Sequence, residues 1–321
     1  MSNDRMMAFA VERIGAQGSL HELPVPRISA DDVLVQVAAA GVNPIDWMIR
    51  DGLVPTDRRL PFVLGQDFAG KVVAVGSDVR RYAVGDRIFG IARSYGSYAQ
   101  YTLVPEMSAA EPTSKIPGDV DDADAASLPT AGLTALASLD LLGVSRGTLL
   151  LIAGAAGGVG SFASQIAHAR GATVVGTAHS SNLDFVRDRG VDEPIAYDSE
   201  NELGAIRALH PTGVDALLDL VHDATGMKYF GELVRRGGKA ASTIGSADVA
   251  WFKSRGIDAY NIVLNQTPQS SDASLRALAT MADDGKLDAT ITAEEELSHA
   301  DRALALSKSG RAKGKIVLTI G

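Results

Sequence analysis

The chain changes its pattern of apolar and polar positions twice. Up to about residue 125, short apolar runs such as residues 33–37 and 70–76 alternate with Gly, Asn and Asp turn residues. Closely spaced short strands with turn signals between them are typical of an antiparallel, barrel-like module. From Ala123 onward the apolar residues recur at helical spacing, which predicts helix.

Between residues 125 and 264, apolar runs alternate with helical patterns. The runs that predict strands are residues 149–153, 172–175, 194–197, 214–219 and 239–244. One helix is expected over residues 182–189, where Gly190 ends it. Strands that alternate with helices in this way indicate a doubly wound parallel sheet.

The last part of the chain changes character again. Residues 274–283 and 297–307 have the spacing of amphipathic helices, and residues 315–320 form an apolar run that predicts a strand. This tail either makes a third small unit or returns to complete the first region, and the pattern alone leaves both open.

The first strand of the parallel sheet leads into a glycine-rich turn. Residues 154–160 read Gly-Ala-Ala-Gly-Gly-Val-Gly, and a helical pattern follows them as far as Gly171. Glycines let the backbone adopt positive φ and let a pyrophosphate approach it, and the amides at a helix N-terminus are free to bind phosphate oxygens. A strand, a glycine turn and a helix in this order predict a dinucleotide site.

The second strand indicates which dinucleotide is bound. NAD-binding folds place an acidic residue at the end of this strand, where it binds the ribose 2′-hydroxyl. Here residues 179–183 read His-Ser-Ser-Asn-Leu, and the first acidic residue, Asp184, is expected on the following helix. Ser180, Ser181 and Asn182 are able to donate hydrogen bonds to a 2′-phosphate. We therefore predict NADPH as the cofactor, although the arginine that usually neutralises a 2′-phosphate is missing from this stretch.

Composition limits the partners, the metal sites and the location that the chain is expected to have. The formal net charge is −9 and no basic block is present, so binding to nucleic acid or to an anionic membrane has no electrostatic support. The chain has no Cys, which excludes disulfides and Cys-ligated zinc, and its six His residues lack metal-ligand spacing. The N-terminal residues lack signal-peptide features, and no apolar stretch has the ~18 residues that cross a bilayer, so we expect a cytoplasmic protein.

Several short motifs carry a resemblance over essentially the whole chain. They are residues 41–46 (Gly-Val-Asn-Pro-Ile-Asp), 61–70, 84–90, 96–101, 128–134 and the glycine turn. In this order they resemble the medium-chain dehydrogenase/reductase superfamily, and within it the zinc-independent quinone oxidoreductases related to zeta-crystallin. The resemblance implies an α/β fold in which a GroES-like β-barrel catalytic domain, residues 1–124 and 265–321, accompanies a Rossmann doubly wound parallel sheet, residues 125–264. It also implies a cofactor cleft between the domains and a homodimer.

The same resemblance indicates that no metal is bound. Zinc-dependent alcohol dehydrogenases carry a Cys within the segment that corresponds to residues 41–43, and a Gly-His-Glu where this chain has Gly65, Gln66 and Asp67. They also carry a four-cysteine zinc lobe, which this chain lacks. We therefore expect no catalytic metal.

The resemblance further implies the residues that bind the cofactor. They are Thr130, Thr134, Gly157, Gly158, Val159, Gly160, Thr177, Ser180, Tyr197, Val221 and Ile244. A base near the end of the chain is also expected to approach the cofactor, and the alignment does not choose among Arg311, Lys313 and Lys315.

Asn43 and Asp46 are the catalytic candidates. They follow a predicted strand in a loop that Pro44 stiffens, where Asn43 is expected to hydrogen-bond the substrate oxygen or the nicotinamide ribose while Asp46 orders the loop. The alternative is an Asx turn, which Asn-Pro favours by itself. For Gln66 and Asp67 two readings stay open. They either lie near the same site or only hold the local backbone in place.

Aromatic residues leave similar alternatives. Trp251 and Phe252 either line the substrate pocket or fill an interface between subunits. Tyr98 is expected in the barrel core, because residues 98–101 alternate like a strand, whereas Tyr95 either faces substrate or packs beneath the barrel.

These observations predict an NADPH-dependent oxidoreductase that transfers hydride to a quinone or a related conjugated carbonyl without a metal. Reduction of a quinone leaves a delocalised phenolate that takes its proton from water, so no strong general acid is needed. The nearest alternative is a 2-enoyl or alkenal reductase, in which a tyrosine or an ordered water protonates the α-carbon. A third hypothesis is a binding protein that senses NADPH.

Overall fold

The chain folds into two units. The computed structural model describes residues 5–55, 59–108, 110–199 and 201–321. Unit 1 consists of Met1–Leu133, Ser270–Gly285 and Ala289–Gly321, and unit 2 consists of Thr134–Gln269 and Lys286–Asp288. The boundaries expected from the sequence, 124/125 and 264/265, lie earlier in the chain. One reason is that helix α2 (Asp122–Ser127) packs on strands of unit 1, although its apolar spacing resembles that of the region after it.

Unit 1 is built mainly from strands, which we number along the whole chain. They are β1 (Arg5–Val11), β2 (Ser19–Pro24), β3 (Asp32–Val42), β4 (Phe62–Val63), β5 (Asp67–Val75), β6 (Arg87–Ile91), β7 (Tyr101–Pro105), β8 (Thr113–Lys115), β15 (Ile291–Glu296) and β16 (Lys315–Thr319). Its helices include α1 (Pro44–Arg50), α2, α9 (Asp272–Asp283) and α10 (Ala300–Lys308). One sheet has the strand order β15-β16-β3-β5-β6-β8, with β7 also paired to β3, and β2-β1-β4 form another.

Strand β3 forms the centre of unit 1. Val33, Val35 and Val37 are buried while Gln36 between them is exposed, as the two-residue period of a strand requires. The last strand, β16, pairs antiparallel with β3 and places Ile316 opposite Val42. The tail therefore returns to complete unit 1 and does not form a third unit.

Unit 2 contains a parallel sheet with helices between its strands. The strands are β9 (Leu149–Ala153), β10 (Thr173–Ala178), β11 (Glu193–Ala196), β12 (Val214–Asp219), β13 (Val234–Ser242) and β14 (Asp258–Asn261). The helices are α3 (Pro129–Leu142), within which the unit boundary falls, α4 (Gly158–Ala169), α5 (Leu183–Arg187), α6 (Glu202–Leu209), α7 (Ala224–Gly231) and α8 (Val249–Ser254). The strand order β11-β10-β9-β12-β13-β14, with every pair parallel, is that of the Rossmann fold. The predicted fold class is confirmed.

Local differences from the predicted elements have simple causes. Strand β14 was not predicted, because the segment Asp-Ala-Tyr-Asn at the sheet edge has no apolar run. The helix expected over residues 182–189 is instead a 3₁₀ turn, Ser180–Asn182, followed by the shorter α5. None of the helices formed by the described residues is both long and apolar enough to cross a bilayer.

Two neighbouring aromatic residues of α8 lie in different environments. Phe252 is fully buried in the apolar core of unit 2 together with Met227 and Phe230. Trp251 is only partly buried, and the guanidinium carbon of Arg255 lies 3.7 Å from its ring centroid. Phe252 therefore packs inside unit 2 and not at its surface.

We expect Phe252→Ala to destabilise the protein by roughly 3–5 kcal/mol, because truncating a buried Phe loses apolar contacts and leaves a cavity. Trp251→Ala removes less buried surface and should cost about 1–2 kcal/mol. Urea unfolding followed by circular dichroism measures both. Equal losses for the two variants would contradict this assignment.

Candidate active site

The glycine turn of unit 2 follows β9 and opens α4. Gly154 has φ +90°, a conformation that favours glycine, and a side chain there would meet Val221 Cγ1 at 2.7 Å. A Cβ on Gly160 would lie 2.3 Å from the Gly154 carbonyl oxygen, so the turn and the first turn of α4 touch backbone to backbone. Gly157 is the N-cap and offers no capping side chain, so the amides of the first helical turn lack a partner from α4 itself. A bare backbone and uncapped amides of this kind fit a dinucleotide pyrophosphate.

Thr177 of β10 holds this turn in place. Its hydroxyl oxygen accepts a hydrogen bond from Gly154 N at 3.2 Å, and its carbonyl accepts one from Ala155 N at 2.9 Å. Burial raises the pKa of the Glu202 carboxyl, and the charge of His222 and the Thr177 hydroxyl oppose this shift. The structure thus places Thr177, predicted as a cofactor residue, against the turn with only 2% of its surface exposed.

The carboxyl ends of β12 and β13 carry two further predicted cofactor residues. Val221 and Ile244 are 55% and 49% exposed, and Val221 adjoins the glycine turn. Asp219 is fully buried and accepts hydrogen bonds from the amides of Val221 and His222, each at 3.0 Å. The Asp219 carboxylate therefore fixes the loop that presents Val221.

His222 completes this loop and was not predicted. Its Nδ1 lies 3.0 Å from Asp219 Oδ2, and its ring stacks on Phe230 with a centroid distance of 4.3 Å. Burial alone would lower the pKa of His222, but the hydrogen bond to Asp219 and the charges of Asp219 and Glu202 outweigh it and raise the pKa. No sequence motif predicts His222, because its contact with Asp219 depends on the conformation of the loop.

The end of β10 carries Ser180, and the end of β11 carries Tyr197. Tyr197 is 51% exposed and its ring meets the His179 ring edge-on at a centroid distance of 5.8 Å. Ser180 donates its amide to Asp198 Oδ1 at 2.7 Å and its hydroxyl to Asp198 Oδ2 at 2.8 Å. Asp198 was not predicted, because it follows β11, whereas the acidic residue of NAD-binding folds follows the second strand, here β10.

Unit 1 contains a buried polar network beneath the end of β3. Lys315 on β16 is 3% exposed and donates to Asn43 Oδ1 at 2.6 Å and to the Val42 carbonyl at 3.3 Å. Asn43 donates from Nδ2 to Asp67 Oδ2 at 2.8 Å. Both ends of the Asn43 amide are therefore held inside unit 1, and Lys315, one of the three candidate bases, belongs to this network.

Asp67 also binds the start of α3. The Thr130 hydroxyl donates to Asp67 Oδ1 at 2.6 Å, and the Thr130 amide donates to Asp67 Oδ2 at 3.1 Å. Gln66 Nε2 donates to the Thr130 hydroxyl oxygen at 2.9 Å. The proton that Thr130 would offer a nicotinamide thus points to Asp67. The other predicted residue of α3, Thr134, belongs to unit 2 and is 9% exposed.

Asp46 holds the loop between β3 and α1. Its Oδ2 accepts hydrogen bonds from the Asn43 amide at 2.8 Å and from the Tyr98 hydroxyl at 2.9 Å. Oδ1 is buried and has no hydrogen-bond partner among the described residues. Tyr98 is fully buried in the core of unit 1, where the sequence placed it.

The charges in this network are unbalanced when every group is ionised. Burial raises the pKa of Asp46 to about 7, although its hydrogen bonds with Asn43 and Tyr98 oppose this shift. Burial also raises the pKa of Asp67 and lowers that of Lys315, while the attraction between these two groups opposes both shifts. Because it is buried, Asp46 keeps its proton up to near-neutral pH, and the nearby Asp67 carboxyl adds to this effect.

We expect Asp46→Asn to flatten the pH dependence of stability between about pH 4 and about pH 7. The folded-state pKa of about 7 lies above the ordinary value of 3.8, so the free energy of unfolding falls as pH rises through this window. The slope from this one proton is about 1.4 kcal/mol per pH unit. Urea unfolding at several pH values measures it, with the exposed Asp119→Asn as control. Equal slopes for wild type and Asp46→Asn would refute the assignment.

We expect Gly160→Ala to destabilise unit 2 by roughly 1–3 kcal/mol and to abolish nucleotide binding, because the new Cβ forces the turn open. Gly157→Ala is the matched control. Its Cβ would lie at an ordinary 3.7 Å from the Gly154 oxygen, so it should cost less stability than Gly160→Ala, with only the preference for Gly over Ala at the N-cap opposing it. Thermal unfolding and NADPH fluorescence measure the two effects. Unchanged stability and binding for Gly160→Ala would count against the role of this turn.

Within residues 5–55, 59–108, 110–199 and 201–321, no group of three or more His, Cys, Asp or Glu side chains is arranged to hold a metal ion. Gln66 and Asp67 are occupied by Thr130 and Asn43 as described above.

Comparison with known proteins places the chain in a family. Residues 29–115 match the family described as alcohol dehydrogenase GroES-like domain, and residues 189–318 match that described as zinc-binding dehydrogenase. The chain is 31% identical to the chloroplast envelope quinone oxidoreductase homolog of Arabidopsis thaliana, over 95% of this chain and 94% of that protein. It is 37% identical to the NADPH-dependent alkenal/one oxidoreductase of the same plant, over 71% of this chain and 59% of that protein. The structure of the quinone oxidoreductase from Coxiella burnetii superposes with a TM-score of 0.89 at 31% identity, covering 99% of this chain and 100% of that one.

These comparisons correct one prediction and confirm another. Several relatives are named as chloroplast proteins, which contradicts the cytoplasmic location expected from the N-terminal residues. That prediction was wrong because it rested on missing secretory features, and their absence does not distinguish one compartment from another. The resemblance noted in the motifs is confirmed. The chain belongs to the quinone oxidoreductase family of the medium-chain dehydrogenases/reductases, nicotinamide-dependent enzymes that act on small molecules.

Proposed function

We propose that the protein reduces quinones or related conjugated carbonyls with NADPH as hydride donor and without a metal. The observation that carries this proposal is the full-length similarity to quinone oxidoreductases, in sequence and in fold. The glycine turn of unit 2 supports it, because its bare backbone and uncapped helix N-terminus suit a dinucleotide pyrophosphate. The homodimer that the family resemblance implies is part of the same proposal.

Each unit has a distinct task in the proposed mechanism. The cofactor supplies the hydride when bound, and the chain binds it through the turn and the amides of residues 158–160. Thr177 and Asp219 keep the turn and the Val221 loop in shape before binding, so little ordering is required on association. In unit 1, Lys315 and Asp67 fix the side chain of Asn43. Rigid groups of this kind favour a reactive geometry between donor and acceptor.

Proton delivery distinguishes the two candidate substrate classes. A reduced quinone takes its protons from water, and the proposal needs no protein acid for it. An enone or alkenal gives an enolate that must be protonated at the α-carbon. Two relatives named for such substrates favour this second candidate. Tyr98 cannot serve as the acid, because it is fully buried and its proton is donated to Asp46. Of Tyr95 and Tyr98, Tyr95 is the remaining candidate for this acid. It is partly buried and packs edge-on against Phe62.

We expect purified protein to accelerate NADPH oxidation by 1,4-benzoquinone, by 9,10-phenanthrenequinone or by trans-2-hexenal, at least about tenfold above the rate without enzyme. EDTA should leave the rate unchanged, because the proposed reaction uses no metal. The Gly160→Ala variant is the control, since it removes the nucleotide site. Absorbance at 340 nm reports the reaction.

The outcomes separate the hypotheses. Loss of hexenal but not quinone reduction in Tyr95→Phe would assign enone reduction to a positioned tyrosine. Tight NADPH binding with no acceleration by any acceptor would contradict the proposal and favour a binding protein that senses NADPH. Activity abolished by EDTA would contradict the metal-free mechanism.

A further inference from the structure

The adenosine end of the Rossmann sheet carries a carboxylate from an unexpected strand. In this fold the residue after the second strand faces the ribose 2′ position of the dinucleotide. That strand is β10, and residues 179–183 after it include no acid. However, β11 pairs in parallel with β10, with Ala196 opposite Ala178, and the Tyr197 amide donates to the Ala178 carbonyl at 3.0 Å. Asp198, two residues beyond the end of β11, therefore reaches the same edge.

Asp198 accepts a hydrogen bond from each of the two donors of Ser180, its amide and its hydroxyl. Oδ1 accepts the Ser180 amide at 2.7 Å and Oδ2 accepts the hydroxyl at 2.8 Å. His179 Nε2 lies 3.5 Å from Oδ2. The hydroxyl hydrogen bond of Ser180 is the main cause that lowers the pKa of Asp198, so this carboxyl is ionised at neutral pH. The serine that the sequence assigned to the 2′-phosphate is thus already paired with an anion.

A carboxylate in this position treats the two nucleotides differently. It accepts a hydrogen bond from the 2′-hydroxyl of NADH, which is the role of the acidic residue in NAD-binding folds. It repels the 2′-phosphate of NADPH, and it withholds from that phosphate the two donors of Ser180.

We propose that Asp198 is the residue that restrains the preference for NADPH, so that the wild-type chain binds NADH and NADPH with similar affinity. The inference rests on the proposed use of a nicotinamide dinucleotide, and it adds the residue that sets the selectivity. Replacing Asp198 by a neutral residue removes the repulsion and releases Ser180, which strengthens NADPH binding without strengthening that of NADH.

Asp198→Asn is the first test variant, because the amide keeps the size of the side chain and an acceptor for the Ser180 amide. Titration of the whole protein with NADPH and with NADH, followed by nucleotide fluorescence, should show NADPH binding about fivefold tighter and NADH binding unchanged or weaker. Asp188→Asn makes the same charge change at an exposed position just after α5 and should alter neither affinity.

Ser180→Ala supplies a second, independent test. In the wild-type background it should change NADPH affinity by less than about twofold, because its hydroxyl is held by Asp198. In the Asp198→Asn background it should reverse part of the gain, because the released hydroxyl is then lost. Non-additive effects of this kind are not expected from a purely structural role of Asp198.

Other results would overturn the inference. Equal changes for NADPH and NADH in Asp198→Asn, or the same gain in Asp188→Asn, would show that Asp198 does not read the 2′ position. Failure of both nucleotides to bind wild type and Asp198→Asn would overturn the inference together with the cofactor proposal. The expected affinity shift without turnover of any quinone or enone would leave the inference standing and refute the proposed reaction alone.

Discussion

One buried ammonium, that of Lys315, organises the polar centre of unit 1. The side chain is almost entirely removed from water, and a charge in that position is tolerated only beside carbonyls and carboxylates that replace its solvation. Lys315 therefore fixes the amide of Asn43, and Asn43 fixes Asp67, which in turn binds the first residues of α3 through Thr130. Burial raises the pKa of the neighbouring Asp46 to about 7, so this carboxyl retains its proton to near-neutral pH. Removal of any member would leave a buried polar group without its partner.

Unit 2 also depends on buried polar side chains that hold neighbouring backbone. The glycine turn comes from the segment after β9, but its shape is held by Thr177 on the neighbouring strand β10. Asp219 at the end of β12 holds the adjoining loop through the amides of Val221 and His222. A binding surface made of bare backbone has no side chains of its own to hold it rigid. Its rigidity therefore depends on buried side chains from neighbouring strands.

The sequence predicted well wherever the signal was local. The Rossmann strands followed from apolar runs, and β9 and β12 have the predicted bounds, because a buried parallel strand is a continuous apolar segment. The glycine turn followed from the order of strand, glycines and helix. Prediction failed for β14, whose four residues carry no apolar run, and for Asp198, which reaches Ser180 from 18 positions away. In NAD-binding folds the acidic residue is expected after the second strand, so an acidic residue after the third strand was not considered.

The sequence by itself therefore determined the fold class, the glycine turn and the family, since these depend on spacing between neighbours in the chain. Only the tertiary structure decided which polar groups meet. Lys315 reaches Asn43 because β16 returns to pair with β3, and Asp198 reaches Ser180 because β11 pairs with β10 in one register. A strand register is set by the sum of many backbone hydrogen bonds and buried contacts. For this reason, the charge balance of unit 1 and the environment of the 2′ position could not be derived from the residue types alone.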